Sequence, residues 1–264
     1  MLPLLATALS RQCSTRESSY YSEYATTPSF LTFSAPPHSP VYDLSLSSGR
    51  WAGDYPDCIS WDGTGNKNVN ATGRVHLDSE DPSSNPIIEI TFDGEIAPES
   101  PLDPSSPATL YSGRWTIKSN GTFYSVADTG VPFMRSGVST NFIQHGASSQ
   151  GEPGFPQLKS FFSTWGGADV YLDGEMMYEG LWMHCMYSNR LREKDSNVIW
   201  ADEEHTEVFS PKEPWRSGGV DDGAIEFTVV VARWCESTNS KQVHAVSDLN
   251  FVLSFTGVED HESN

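Results

Sequence analysis

Basic residues are scarce in this chain, 16 Lys and Arg against 35 Asp and Glu, for a formal net charge of -19. A surface of that sign repels phosphate backbones and anionic headgroups, so neither nucleic acid nor a membrane is an expected partner. Cysteine is sparse too. Cys13, Cys58, Cys185 and Cys235 stand far apart with no CxxC pair, which excludes a zinc knuckle and leaves long-loop disulfides or buried thiols. No apolar run approaches the roughly 20 residues that a membrane-spanning helix needs. A glycine-rich phosphate loop, a G-x-S-x-G elbow and an HExxH pair are all missing, so nucleotide, α/β-hydrolase and zincin chemistry have no support. The histidines, at 38, 76, 145, 184, 205, 244 and 261, never fall two or four apart, and no single element presents two of them to one ion. Neither a metal nor a cofactor is expected.

What the chain does have is aromatic mass. Aromatics make up 12% of its 264 residues, with 8 Trp, enough to bury a sizeable core in one domain and too much for disorder. Short alternating stretches separated by Gly, Pro, Ser and Asn clusters predict an all-β fold. The expected form is a single antiparallel β-barrel or β-sandwich, jelly-roll or lipocalin-like, with at most one short helix. Residues 1–10 form a candidate signal peptide, 11–40 a lead-in segment, 41–258 the β domain and 259–264 a solvated tail. With two N-glycosylation sequons, Asn70-Ala-Thr72 and Asn120-Gly-Thr122, this start points to secretion or the secretory pathway. In that compartment a disulfide is expected between Cys235 and either Cys58 or Cys185.

Strands are expected at 41–46, 71–77, 86–92, 110–117 and 122–126, the last two joined by a tight turn at 119–122, and the sheet continues through 132–142. A long loop at 143–160 is a candidate lid, and 191–209 is the one place with weak helical spacing. Near the end, 224–235 turns Ile225, Phe227, Val229 and Val231 inward. Its phase carries Arg233 to the same side, so either a bulge turns that arginine out or it points inward and needs a carboxylate or ligand partner. The final strand, 249–255, turns Leu249, Phe251, Leu253 and Phe255 inward.

The densest chemistry lies at 166–192, which reads as two strands joined by a turn at Asp173-Gly174. Alternation puts Leu181, Met183, Cys185 and Tyr187 on one face and Trp182, His184 and Met186 on the other. His184 is then either a hydrogen-bonded core histidine or a working group in a pocket. Glu175 and Glu179 flank the same turn, and GEMMYEGLWM is loosely similar to the nucleophile strand of fungal jelly-roll endoglucanases, although no second motif supplies an acid.

The stretch GGADVYLDGE, followed after a gap by WMHCMY, resembles secreted fungal β-barrel proteins that include the hetero-Diels-Alderases of tropolone sesquiterpenoid biosynthesis. The resemblance implies a cofactor-independent pericyclase holding an apolar alkene against a polarised heterodiene. Orientation alone contributes about 7 to 11 kcal/mol in favourable reactions, and a donor adds electrostatic stabilisation. The residues expected to do this are His184 and Arg233 as catalytic donors, with Trp182, Met186, Trp115, Tyr111 and Arg135 around a small apolar organic substrate. This arrangement requires a chamber bordered by the Trp182-His184-Met186 face. Two other classes compete: a non-catalytic secreted protein binding small molecules or carbohydrate, and a jelly-roll glycoside hydrolase using Glu175.

Overall fold

The computed structural model describes residues 41–53, 60–63, 65, 67–79, 81, 85–99, 101, 105–124, 137–148, 155–202, 204–210, 224–233 and 249–261. Nine strands follow one another: β1 Val41–Trp51, β2 Lys67–Asp78, β3 Ile87–Ile96, β4 Tyr111–Phe123, β5 Val138–Gln144, β6 Leu158–Leu172, β7 Glu175–Asn189, β8 Ile225–Ala232 and β9 Asn250–Asp260. Every pairing is antiparallel. β1 pairs with both β2 and β9, and β4 pairs with β6, so eight strands close on themselves. The result is a closed antiparallel β-barrel. β5 is the ninth strand and shares an edge of β6 with β4: β5 meets 158–164, and β4 meets 166–172.

Alternation explains which side chains fill the barrel. Along β2, Val69, Ala71, Val75 and Leu77 point in while Asn68, Asn70, Thr72 and Arg74 point out. At one end Trp51, Phe92, Trp115 and Phe251 interlock, with Phe92 stacked on Trp115 at 6.1 Å and Phe251 edge-on to Trp115 at 5.5 Å. At the other end Tyr42, Phe162, Tyr187, Phe227 and Phe255 do the same. Burial, with Asp260 nearby, pushes the Tyr42 phenol up to about 12 and that of Tyr187 higher still. All nine of these rings are at most 3% exposed. Side chains bordering a water-sized void would carry exposed area, so neither ring cluster borders one.

Several expectations need correction. The Ser119–Thr122 segment is not a hairpin turn, because β4 runs through it, paired to β6 on one edge, and Gly121 at φ 80° absorbs a register shift between Ser119 and Phe123. Among the described residues of 191–209 there is no helix; isolated bridges join Arg192 to Ile199 and Trp200 to Val208. Among the described residues the one helical turn is a 3-10 turn at Gly146–Ser148, inside the expected lid. That loop is shorter than its composition suggested, since β6 already begins at Leu158. β9 continues to Asp260, paired with Leu44, so the tail starts later than residue 259. The candidate signal peptide, the lead-in, Cys13, Cys58, Cys235 and Arg135 lie outside the described residues. Cys185 is a free thiol facing the barrel core opposite Val229, which removes it from the disulfide expectation.

A buried ion pair fastens the segment after β7 to the barrel's outer wall. The Arg192 guanidinium donates to Glu226 Oε1 at 2.8 Å and to Thr228 Oγ1 at 3.2 Å, while the Leu191 and Arg192 amides donate to Glu226 Oε2. Each oxygen of that carboxylate therefore has charge-assisted partners, which offsets the cost of burying it. Glu226→Ala is expected to lower unfolding free energy by about 3 to 5 kcal/mol, because it strands a buried guanidinium. Urea denaturation measures this, and a loss below about 1 kcal/mol would mean that the pair behaves as an exposed one.

Candidate functional site

The residues singled out in the sequence fall at two places on the barrel. Trp182, His184 and Met186 belong to β7, but their side of the strand is the outer wall, since Leu181, Met183, Cys185 and Tyr187 fill the interior. The chamber expected behind them is therefore not in the barrel. Nor are they in bulk water. β5 extends the sheet along the edge of β6, Gln144 and His145 reach with their side chains across the outer face to His184 and Met186, and His184 is only 4% exposed.

A continuous polar chain runs through this covered wall. Ser160 and Ser163 hydroxyls meet at 2.7 Å, Ser163 donates to Gln144 Oε1 at 2.5 Å, and Gln144 Nε2 lies 2.8 Å from His145 Nε2 and 2.7 Å from His184 Nε2. An amide nitrogen only donates, so both imidazoles accept at Nε2. His184 then carries its proton on Nδ1 and donates it to the Thr164 carbonyl at 3.1 Å. Trp165 stacks on the ring at 4.6 Å, and Trp182 lies beside it at 5.9 Å. Met186 Sδ is 3.3 Å from His145 Nε2. Burial pushes the His184 pKa down to about 4, partly opposed by the bond to Thr164. The imidazole is neutral, partnered at both nitrogens and shut between indoles.

The second place is the end of the barrel where β3 finishes and β4 and β7 begin. The Tyr111 hydroxyl donates to Glu99 Oε2 at 3.1 Å, and Arg233 Nη2 lies 4.0 Å from Glu99 Oε1. The backbone of Leu249 brings these groups together: it bridges to Glu99, and its carbonyl accepts the Arg233 amide at 3.2 Å. Arg233 therefore keeps the inward phase of β8, but at the rim, where a carboxylate meets it and its side chain is 38% exposed. Tyr178 approaches the same carboxylate from β7, its hydroxyl buried with no hydrogen-bond partner among the described residues. Its position follows from a bulge: Tyr178 pairs with Val170 and Leu181 with Ala168, and Gly180 at φ 66° donates its amide to Asp169 at 2.8 Å. Burial and then Glu99 raise the Tyr178 phenol well above its ordinary range, and the same two causes raise Tyr111. Below them lies an aromatic floor, with Tyr111 edge-on to Trp115 at 6.4 Å and Tyr178 edge-on to Phe251 at 5.9 Å.

The structure thus brings Tyr111, Trp115 and Arg233 together at the rim, and Trp182, His184 and Met186 together on the wall, without joining the two sets. The reading of the sequence missed Glu99 and Tyr178 at the rim, and Gln144, Ser163 and Trp165 on the wall. Glu99 sits in a proline-flanked connection with no periodicity to mark it. Tyr178 was hidden by the bulge, which also leaves Glu175 and Glu179 exposed on a hairpin rather than facing a cleft. Comparison with protein-family models, with curated proteins and with solved structures finds no match for this chain.

The neutral wall histidine makes stability pH-dependent. Unfolded, its imidazole takes a proton near pH 6.5; folded, only near 4. The unfolded state binds more protons in that window, so the contribution is whole above pH 6.5 and is lost as pH falls to 4, on the order of 3 kcal/mol. Urea unfolding at pH values between 4 and 7 should show this slope in the wild type and a shallower one in His184→Gln. Equal slopes would refute the assignment.

Proposed function

We propose that this chain is a cofactor-independent small-molecule enzyme of the pericyclase kind, catalysing a hetero-Diels-Alder type cycloaddition of apolar natural-product intermediates at the Glu99-Arg233 rim. The observation that carries the reading is a carboxylate that accepts from the Tyr111 phenol and meets the Arg233 guanidinium, beside the buried Tyr178 hydroxyl and directly above an aromatic floor. Of the two clusters, this one has a half-exposed cation that a substrate can reach. Glu99 takes a proton from a substrate hydroxyl, and Tyr178 or Tyr111 protonates the departing hydroxyl so that it leaves as water. Arg233 stabilises the charge that builds on the heterodiene oxygen. The partly exposed rings of Tyr111 and Tyr178, backed by Trp115 and Phe251, offer the alkene an apolar surface, and holding both reactants there replaces solvent encounter with fixed geometry. His184 is a positioning residue in this scheme, because it keeps the wall against which β5 packs. The reading includes passage through the secretory pathway, which the two sequons favour.

A second reading has an observation of its own. Tyr111 and Arg233 are already engaged with Glu99, as in a latch that shapes a binding surface without chemistry. A non-catalytic binding protein using the same rim would bind the reactants and leave their rate unchanged. The barrel's packed ring clusters do not suit a carrier that holds its cargo inside.

The test pairs a sesquiterpene alkene with a tropolone-type quinone-methide precursor and follows adduct formation and stereoisomer ratio against the background reaction. Glu99→Gln is expected to lower kcat by about 10²- to 10⁴-fold. Arg233→Ala should lower it by about 10²- to 10³-fold, with circular dichroism unchanged in both. Saturable binding with no rate above background would favour the second reading.

A further inference from the structure

The two sequons occupy very different surroundings. Asn70 lies on the outer side of β2, in a bulge where Gly49 pairs with Ala71 and Arg50 with Asn68, leaving Asn70 without a ladder partner on β1. Its backbone is left-handed at φ 47°, and its amide donates to Asn68 Oδ1 at 3.0 Å. Such a bulge aims the side chain off the sheet. Among the described residues the Asn70 carboxamide has no polar partner, and Thr72, the third residue of the sequon, is exposed. Beside it opens a cleft of about 420 Å³, lined by Ser48, Arg50, Asn68, Asn70, Lys194 and Thr256. That size lies within the range of small-ligand sites, and the lining is rich in hydroxyl, amide and ammonium groups that hydrogen-bond to sugar hydroxyls.

Asn120 is committed elsewhere. Its Nδ2, the atom to which a glycan attaches, donates to Asp169 Oδ1 at 3.3 Å, and its Oδ1 accepts the Thr122 amide at 3.1 Å. The carboxamide lies flat on Gly167, so closely that a Cβ at that glycine would meet Nδ2 at 2.9 Å. This contact spans β4 and β6, the seam that closes the barrel. Asn120 is solvent-exposed, and a sugar on its Nδ2 would cost the bond to Asp169 and the close packing on Gly167.

We propose that Asn70 is the N-glycan acceptor of the folded protein, with the first sugars resting in the adjoining cleft, and that Asn120 is a structural residue unmodified in the folded form. The proposal rests on the secretory part of the functional reading, and the experiment separates the two. The full chain is expressed in a yeast secretory system with its own N-terminus and, in parallel, behind a grafted leader. Folded protein is deglycosylated enzymatically in heavy-oxygen water and its peptides are mapped by mass spectrometry. The expected result is isotope label at Asn70, none at Asn120, and loss of the whole glycan mobility shift in Thr72→Ala. Label at Asn120 in the folded fraction, or an unmodified Asn70 behind the grafted leader, overturns the proposal. A bare protein when residues 1–10 are the only leader, with label at Asn70 behind the grafted one, sinks the reading of 1–10 as a signal peptide and leaves the assignment standing.

Discussion

β6 has two partners along one edge, and the rest of the molecule follows from how that edge is divided. Its second half pairs with β4 and closes the barrel, while its first half pairs with β5. Closure leaves the eight-strand ring no open edge and forces side chains to alternate between a finite interior and the outside. Aromatic rings packed among aliphatic side chains fill both described ends of that interior, which directs ligand chemistry to the rim or the outer wall. β5, held where β4 has turned away, lays Gln144 and His145 over the outer face and converts it into a second buried layer.

The two clusters differ in what their burial does. On the wall the Ser163 hydroxyl, the Gln144 amide and the His184 ring N–H each meet an acceptor, so the chain of Ser, Gln and His adds order. At the rim charge is kept, but it is shared among groups from a connecting loop, a strand start, a bulge and a strand end. A carboxylate so placed is held by parts of the chain that meet only when the barrel closes. Its geometry therefore reports on the whole fold.

Much of the fold was legible in the sequence because alternation is a strong signal where one face is fully buried. Tyr42, Leu44 and Leu46 on β1, or Leu249, Phe251, Leu253 and Phe255 around β9, announce their inward phase without ambiguity. The central ribbon was legible only in part. Both of its faces are buried, so period two divided the residues correctly without saying which set was inside. Met183 and Cys185 proved to be interior, and Trp182 and His184 to be wall. Bulges were the other blind spot. A single inserted residue at Gly180 redirected Tyr178, and the backbone at Gly121 let β4 continue through a string that reads as a turn. Glu99 was invisible for a different reason, since a loop carboxylate finds its partners only through tertiary contact.

The placement of Cys185 has a bearing on the other cysteines. Its thiol is walled in by the barrel core, and burial pushes its pKa well up, so the reactive thiolate is suppressed and oxidants have no path to it. Of four cysteines, that leaves Cys13, Cys58 and Cys235, which lie outside the described residues, as the candidates for a disulfide. Three is an odd number. Whichever two of them join, the chain retains a sulfur that stays reduced or bonds to a second molecule.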